Sequence, residues 1–261
     1  MTASFDVGSR TSESRTLPPY FHTLRDRRLL GSPWANRSLC TREREDEIHS
    51  SKLFWRILLP AIRAIFWDIG GVLLNNAWDH SERADALERF HLDASDFNIR
   101  HEPLVSPFER GQLSLDEYLD QTVFYTERSF SREEFRNSMF GLSQPFPEVL
   151  QFARSISDSG KYLMGTINNE SRELNQYRIE KFGLRQIFRV FVSSCFVGLR
   201  KPDSQIYRLA LDLTQFPAEE CCFIDDRAAN LEAPAKLGMH TFQMKALKQL
   251  RADLRTVGVA P

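Results

Sequence analysis

No two cysteines of the 261-residue sequence stand at C-x-x-C spacing and its six histidines form no cluster, so no zinc site is read from it. The four cysteines, Cys40, Cys195, Cys221 and Cys222, are few for a chain that can build a core without disulfides. A reducing, cytoplasmic setting is expected, with Cys221 and Cys222 as buried strand residues. An excess of either charge is also missing. Lys and Arg total 34 against 35 Asp and Glu, a net charge of -1, so neither nucleic acid nor an anionic membrane is expected as a partner. Nor is there an unbroken hydrophobic run. The longest apolar stretch, residues 53–74, holds Pro60, Arg56, Arg63 and Asp68. A charged residue costs about 2.5–3.5 kcal/mol at a bilayer centre, so no membrane span is expected. Residues 1–30 contain no apolar segment of secretory-signal length. The remaining composition, 42% hydrophobic and 26% charged, is that of a globular protein and excludes collagen-like, coiled-coil and wholly disordered chains. The length suits one large domain or a core carrying an insert.

Residues 1–58 are rich in Ser, Thr, Arg and acidic residues without helix or strand periodicity, and read as a disordered leader. Asp6, Glu13 and Asp26 argue against an organelle transit peptide. From residue 59 the texture changes. Short apolar runs at 64–67, 162–167, 190–192, 222–224 and 241–243 do not alternate, as suits strands buried on both faces of a parallel sheet. Helical patterns separate them. Asp203 caps one with Ile206, Leu209, Ala210 and Leu213 along a single face. Residues 171–182 form another, stopped by Gly183. Residues 228–237 form a third, in which Pro234 should kink or delay the helix. The fold expected is a doubly wound α/β sheet. About 95 residues separate the first two strands, too many for one crossover helix. Residues 78–146 read as a small helical cap inserted after the first strand, with helices near 81–90, 115–124 and 132–139 and a capping box at Ser114 and Glu117. The core is then 59–77 with 147–261.

Ligands of such sheets bind at the carboxyl ends of the strands. Asp68, Asn168, Asn169, Asp225 and Asp226 stand at strand ends, and Lys201 opens the helix after the third strand. Three carboxylates ionise together only beside a cation, and Mg²⁺ suits an all-oxygen set. Free backbone N–H groups at Gly70 and Gly71, with Lys201, suit phosphate. A carboxylate in that setting can attack phosphorus and form an aspartyl phosphate.

The segments AIFWDIGGVLLNN (64–76), YLMGTINNES (162–171), GLRKPDSQIY (198–207) and CCFIDDRAANLEAPAKLGM (221–239) resemble the haloacid dehalogenase superfamily, in particular a phosphatase-like branch with a D-x-G-G-V first motif. The resemblance spans about residues 62–245. It implies a Rossmann-like core, a cap that selects substrate, Mg²⁺ as cofactor and a small phosphorylated molecule as substrate. By position it implies Asp68 as nucleophile, the Gly70 carbonyl with Asp68, Asp225 and Asp226 as metal ligands, and Lys201 steadying nucleophile and phosphate. Asn168 falls where the family has a phosphoryl-binding Ser or Thr, with Thr166 as a fallback on the same strand face. Two departures stand out: Gly70 replaces an Asp that serves most of these phosphatases as general acid, and Asn168 replaces a hydroxyl. Arg110 in the insert is a candidate for an anionic substrate, or a solvated surface residue. Asn230 is a candidate orienter, or a helix-surface amide.

Three readings compete. The first is a Mg²⁺-dependent phosphatase. The second is a 2-haloacid dehalogenase using the same Asp68, which the missing acid at 70 favours and the pair Asp225 and Asp226 disfavours. The third is a catalytically weak binding module. A receiver-type signalling domain is set aside, because its acidic pair would follow the first strand. The phosphatase is the expectation.

Overall fold

A computed structural model describes residues 60–261. The leader expected over residues 1–58 lies outside the described residues, as does Cys40. Five strands form one parallel sheet: β1 (Ala64–Trp67), β2 (Leu163–Asn168), β3 (Val190–Ser193), β4 (Cys221–Asp225) and β5 (His240–Gln243), in the order β3-β2-β1-β4-β5. β1 is central, pairing with β2 (Ala64 opposite Leu163) and with β4 (Ala64 opposite Cys221). Its short apolar run is buried throughout because both faces are covered. Ile65 and Trp67 join one hydrophobic cluster, while Ala64 and Phe66 join the other. Cys221 and Cys222 are likewise buried, one on each side.

Five helices lie between β1 and the helix that leads into β2: α1 (His80–Arg89), α2 (Ala94–His101), α3 (Val105–Glu109), α4 (Leu115–Thr122) and α5 (Arg132–Gly141). Ser114 and Ser131 start α4 and α5 with full capping boxes to Glu117 and Glu134. The five surround a core of their own, built on Trp78, Phe97, Phe108, Tyr118 and Phe135. Where the chain enters and leaves this insert, the two segments run antiparallel. Asn75 N–H donates to Gln144 O (2.9 Å), and Phe146 N–H donates to Leu73 O (2.9 Å). The Asn75 side chain adds bonds to Leu142 O (2.9 Å) and from Gln144 N–H (2.9 Å).

The remaining helices cover the sheet: α6 (Pro147–Asp158), α7 (Arg172–Lys181), the short α8 (Ser194–Val197), α9 (Ser204–Thr214), α10 (Glu232–Lys236) and α11 (Leu247–Thr256). α6 and α11 pack on one face, α9 on the other. α7 serves both bodies, giving Leu174 and Tyr177 to the insert's core and Ile179 to the sheet's. It ends at Gly183 in the left-handed conformation (φ 62°), as its sequence predicts.

Two details differ from expectation. α9 buries Ile206, Tyr207 and Ala210, and leaves Leu213 59% exposed, because the helix is rotated to seat Tyr207 against Phe223. The helix foreseen at 228–237 starts only at Glu232. That start places Pro234 in the first turn, where a missing N–H costs nothing.

Candidate active site

The carboxyl edge of the sheet gathers the chemistry. Asp68 prolongs β1 by donating its N–H to Ile224 O (2.8 Å), and its side chain turns back so that Oδ1 accepts from Ile69 N–H (2.8 Å). The chain then reverses: Leu74 N–H reaches Ile69 O (3.0 Å) and Gly71 N–H reaches Leu74 O (2.7 Å), so the Gly70 carbonyl takes no part in either bond. Gly71 has φ 75°, and a Cβ there would collide with the Asp226 carboxylate. At Gly70 a Cβ would come within 2.8 Å of Asn76 Oδ1. The space beside residue 70 thus belongs to an amide from the segment that leads into the insert.

Lys201 is the centre of the cluster. Its ammonium, buried to 4% exposure, lies 2.8 Å from Asp68 Oδ1 and 2.6 Å from Asp225 Oδ2. Asn169 holds the lysine's backbone from both sides, accepting from Lys201 N–H (2.9 Å) and donating to Lys201 O (3.0 Å). Asp225, wholly buried as the last residue of β4, also accepts from Arg227 N–H (2.8 Å) and from the Asn230 amide at both oxygens (3.0 and 3.1 Å). Asn230 therefore orients Asp225 rather than standing on a helix surface. One oxygen each of Asp68, Asp225 and Asp226 lie within 4.8 Å of one another, and Asp226 Oδ1 is buried without a hydrogen-bond partner.

These placements strain the charges. Burial pushes the Asp68 carboxyl up to about 7, with Lys201 pulling it down and Asp225 adding to the rise. Burial opposes the Lys201 ammonium, but Asp68 and Asp225 more than offset it and hold its pKa above the usual value. Burial, then Asp225, raises Asp226. Three crowded carboxylates, one of them with an orphaned oxygen, face a single lysine. That donor set fits a hard divalent cation such as Mg²⁺, with Asp68, Asp225, Asp226 and the Gly70 carbonyl as its oxygens.

A cavity of about 220 Å³ opens over Asp68, Gly70, Asn169 and Lys201 and is walled by the insert through Asn76, Trp78, Arg83, His101, Val105 and Phe108. Two ion pairs cross between core and insert at its rim, Arg200 with Glu109 and Arg227 with Asp79. At its floor Arg178 pairs with Glu170 (2.8 Å).

Four expected substrate contacts are not where the sequence suggests. Asn168 is the last residue of β2 and points inward: its amide donates to Asn175 Oδ1 (3.0 Å) and accepts from Ser193 Oγ (2.8 Å), so both ends are engaged away from the cavity. Thr166 is fully buried within the sheet and does not line the cavity. Arg110 donates to Gly198 O (2.7 Å) and to Ser106 Oγ (3.3 Å), tying the end of α3 to the residue after α8, and does not line the cavity. Gly71 abuts Asp226 and lies outside the cavity lining. Conversely, the cavity residues Arg83, His101, Glu109, Asp79, Arg200 and Arg227 were not foreseen. Arg200 and Arg227 had a signal, since they adjoin Lys201 and Asp226 in sequence.

The parallel sheet thus carries the acidic cluster and the lysine at its carboxyl edge. Residues 62–238 match the haloacid dehalogenase-like hydrolases, and the chain belongs to that family. It is similar to bifunctional epoxide hydrolase 2 of Sus scrofa, 25% identical over 213 residues, covering 73% of this chain. The match spans only 38% of that relative's length. D-ribitol-5-phosphate phosphatase of Bacteroides thetaiotaomicron is 22% identical over 214 residues, covering 75% of this chain and 98% of its own. Among solved structures, a HAD family enzyme of Bacteroides thetaiotaomicron in a magnesium complex shares the fold with a TM-score of 0.60 at 19% identity, over 72% of this chain and 96% of its own. An L-2-haloacid dehalogenase does so with a TM-score of 0.51 at 22% identity, over 70% and 85%. No helix among the described residues is long and apolar enough to cross a membrane.

Proposed function

We propose that the protein is a Mg²⁺-dependent phosphatase of small phosphorylated molecules, working through an aspartyl phosphate on Asp68, with residues 78–146 as a cap domain over a core of 59–77 and 147–261. The observation that carries this is the meeting of the Asp68, Asp225 and Asp226 carboxylates within 4.8 Å around the Lys201 ammonium. The relative named as a phosphatase and the structural neighbour bound to magnesium support it. Mg²⁺ bound to the three carboxylates would supply positive charge to the phosphoryl oxygens.

The chain's own residues do the rest. Oδ1 of Asp68 is engaged by Lys201 and by Ile69 N–H, which leaves Oδ2 to attack phosphorus. Lys201 fixes the nucleophile and balances charge, and Asn169 fixes Lys201. Attack breaks the ester P–O bond and water then cleaves the acyl phosphate, restoring Asp68. Position 70 offers no acid, and the nearby carboxylates Asp79 and Glu109 are paired with arginines. The site therefore suits leaving groups that need little protonation.

Phosphate release from p-nitrophenyl phosphate with Mg²⁺ tests this reading: Asp68→Asn should lose at least about 10³-fold in kcat, and a variant as active as the native protein would sink it. The absence of an acid at Gly70 also favours a second reading, displacement of halide from a 2-haloacid by the same Asp68. Halide release that persists in EDTA, with no phosphate release under any condition, would establish that reading in its place.

A further inference from the structure

On the insert's side of the cavity one cation has no carboxylate partner among the described residues. Lys201, Arg178, Arg200 and Arg227 each have a carboxylate partner. Arg83, from α1, lines the same cavity and among the described residues has no carboxylate within ion-pair distance. One of its N–H groups donates to Trp78 O (3.2 Å), which anchors the guanidinium without neutralising it.

Next to it in function stands His101, from α2, 7% exposed and also in the cavity wall. Its Nδ1 lies 2.7 Å from Tyr118 Oη, and that oxygen already accepts from Trp78 Nε1 (3.0 Å). The indole can only donate. Tyr118 is fully buried, so its own hydrogen needs an acceptor, and Nδ1 of His101 is the one in reach. The proton of the imidazole then sits on Nε2, which has no protein partner among the described residues. Burial, helped by Arg83, lowers the His101 pKa to about 4, so the ring is neutral near neutral pH. The insert thus presents one cation and one fixed neutral N–H donor, between the apolar surfaces of Trp78, Val105 and Phe108.

We propose that Arg83 and His101 form a subsite for a carboxylate carried on the leaving group, so that the substrates are phosphomonoesters of hydroxy acids whose hydroxyl oxygen leaves readily, such as phenolic acids. This rests on the phosphatase reading above. On the insert's wall, a single cation without a carboxylate partner beside a neutral donor suits a monoanion, and a guanidinium binds a carboxylate through two parallel N–H groups. A dianionic second phosphate would leave charge unbalanced in a partly enclosed space.

Matched esters test it. With Mg²⁺, kcat/KM is measured for 4-carboxyphenyl phosphate and for 3-carboxyphenyl phosphate, each against phenyl phosphate, whose phenolate leaves with little protonation. The native protein should prefer the acid in at least one pair by about tenfold or more, the scale of one charge-assisted hydrogen bond. Arg83→Gln and His101→Phe should each lower that preference, and Arg83→Lys should restore part of it. The ratio reports specificity, which a general loss of folding or of catalysis leaves unchanged. Equal rates for acid and neutral esters in the native protein, or equal losses for both in the variants, overturn the subsite. Should no ester be hydrolysed, the phosphatase reading fails and calorimetry with 4-carboxybenzyl phosphonate against benzyl phosphonate decides the subsite alone. Tighter binding of the acid, lost in Arg83→Gln, supports it, and equal binding overturns it.

Discussion

His101 shows how a single side chain can be set by its neighbours. Trp78 and Tyr118 hold its tautomer, and burial with the Arg83 charge holds it neutral, moving its pKa from 6.5 to about 4. The sign of the pH effect follows. Above about 6.5 neither the folded nor the unfolded chain binds a proton at this ring. Between there and about 4 the unfolded chain does and the folded chain does not, so the native state loses stability as pH falls. Thermal melts of the native protein and His101→Gln should run parallel above pH 6.5, and the native protein should fall faster below it. Parallel curves down to pH 4 would contradict the burial described for this ring. At Gly71 the argument is steric. Gly71→Ala imposes a strained φ and drives a methyl into the Asp226 carboxylate, and it is expected to cost about 1–3 kcal/mol. Because Asp226 must shift, the variant should also bind Mg²⁺ more weakly by calorimetry.

At the scale of elements, the strands were legible and the insert's lining was not. The run at 64–67 could be read because a strand covered on both faces is apolar without alternation, and Asp68, Asp225 and Lys201 could be placed because each adjoins such a run or the helix after it. Asn168 misled for the same reason. It stands at a strand end, but its direction is decided by Ser193 and Asn175, partners from β3 and α7 that no local pattern announces. Arg83 and His101 look like surface residues of amphipathic helices, and only the packing of α1 and α2 turns them into the cavity. The paired segments at the mouth of the insert are another tertiary feature. Asn75 bonds with Leu142 and Gln144 across them, so Asn75→Ala is expected to destabilise the fold by about 1–3 kcal/mol in urea titration.

Across the whole molecule, the insert and the sheet share a helix. Leu174 of α7 is fully buried in the insert's core while Ile179 of the same helix is buried against the sheet. Two apolar clusters joined by one rigid element should melt together, giving coincident transitions by circular dichroism and by tryptophan fluorescence. Leu174→Ala, at a cost of about 2–5 kcal/mol, should separate them, the insert's aromatic signal going first.

The central place of β1 has a consequence for biosynthesis. Its two neighbours arrive late: residue 64 meets residue 163 on one side and residue 221 on the other. A nascent chain emerging from the ribosome therefore carries its most apolar strand with both edges bare until most of the polypeptide has been made. Ribosome-bound fragments ending before β4 should be protease-sensitive and prone to aggregate, and should recruit chaperones. Protection at β1 should appear only once β4 has cleared the exit tunnel.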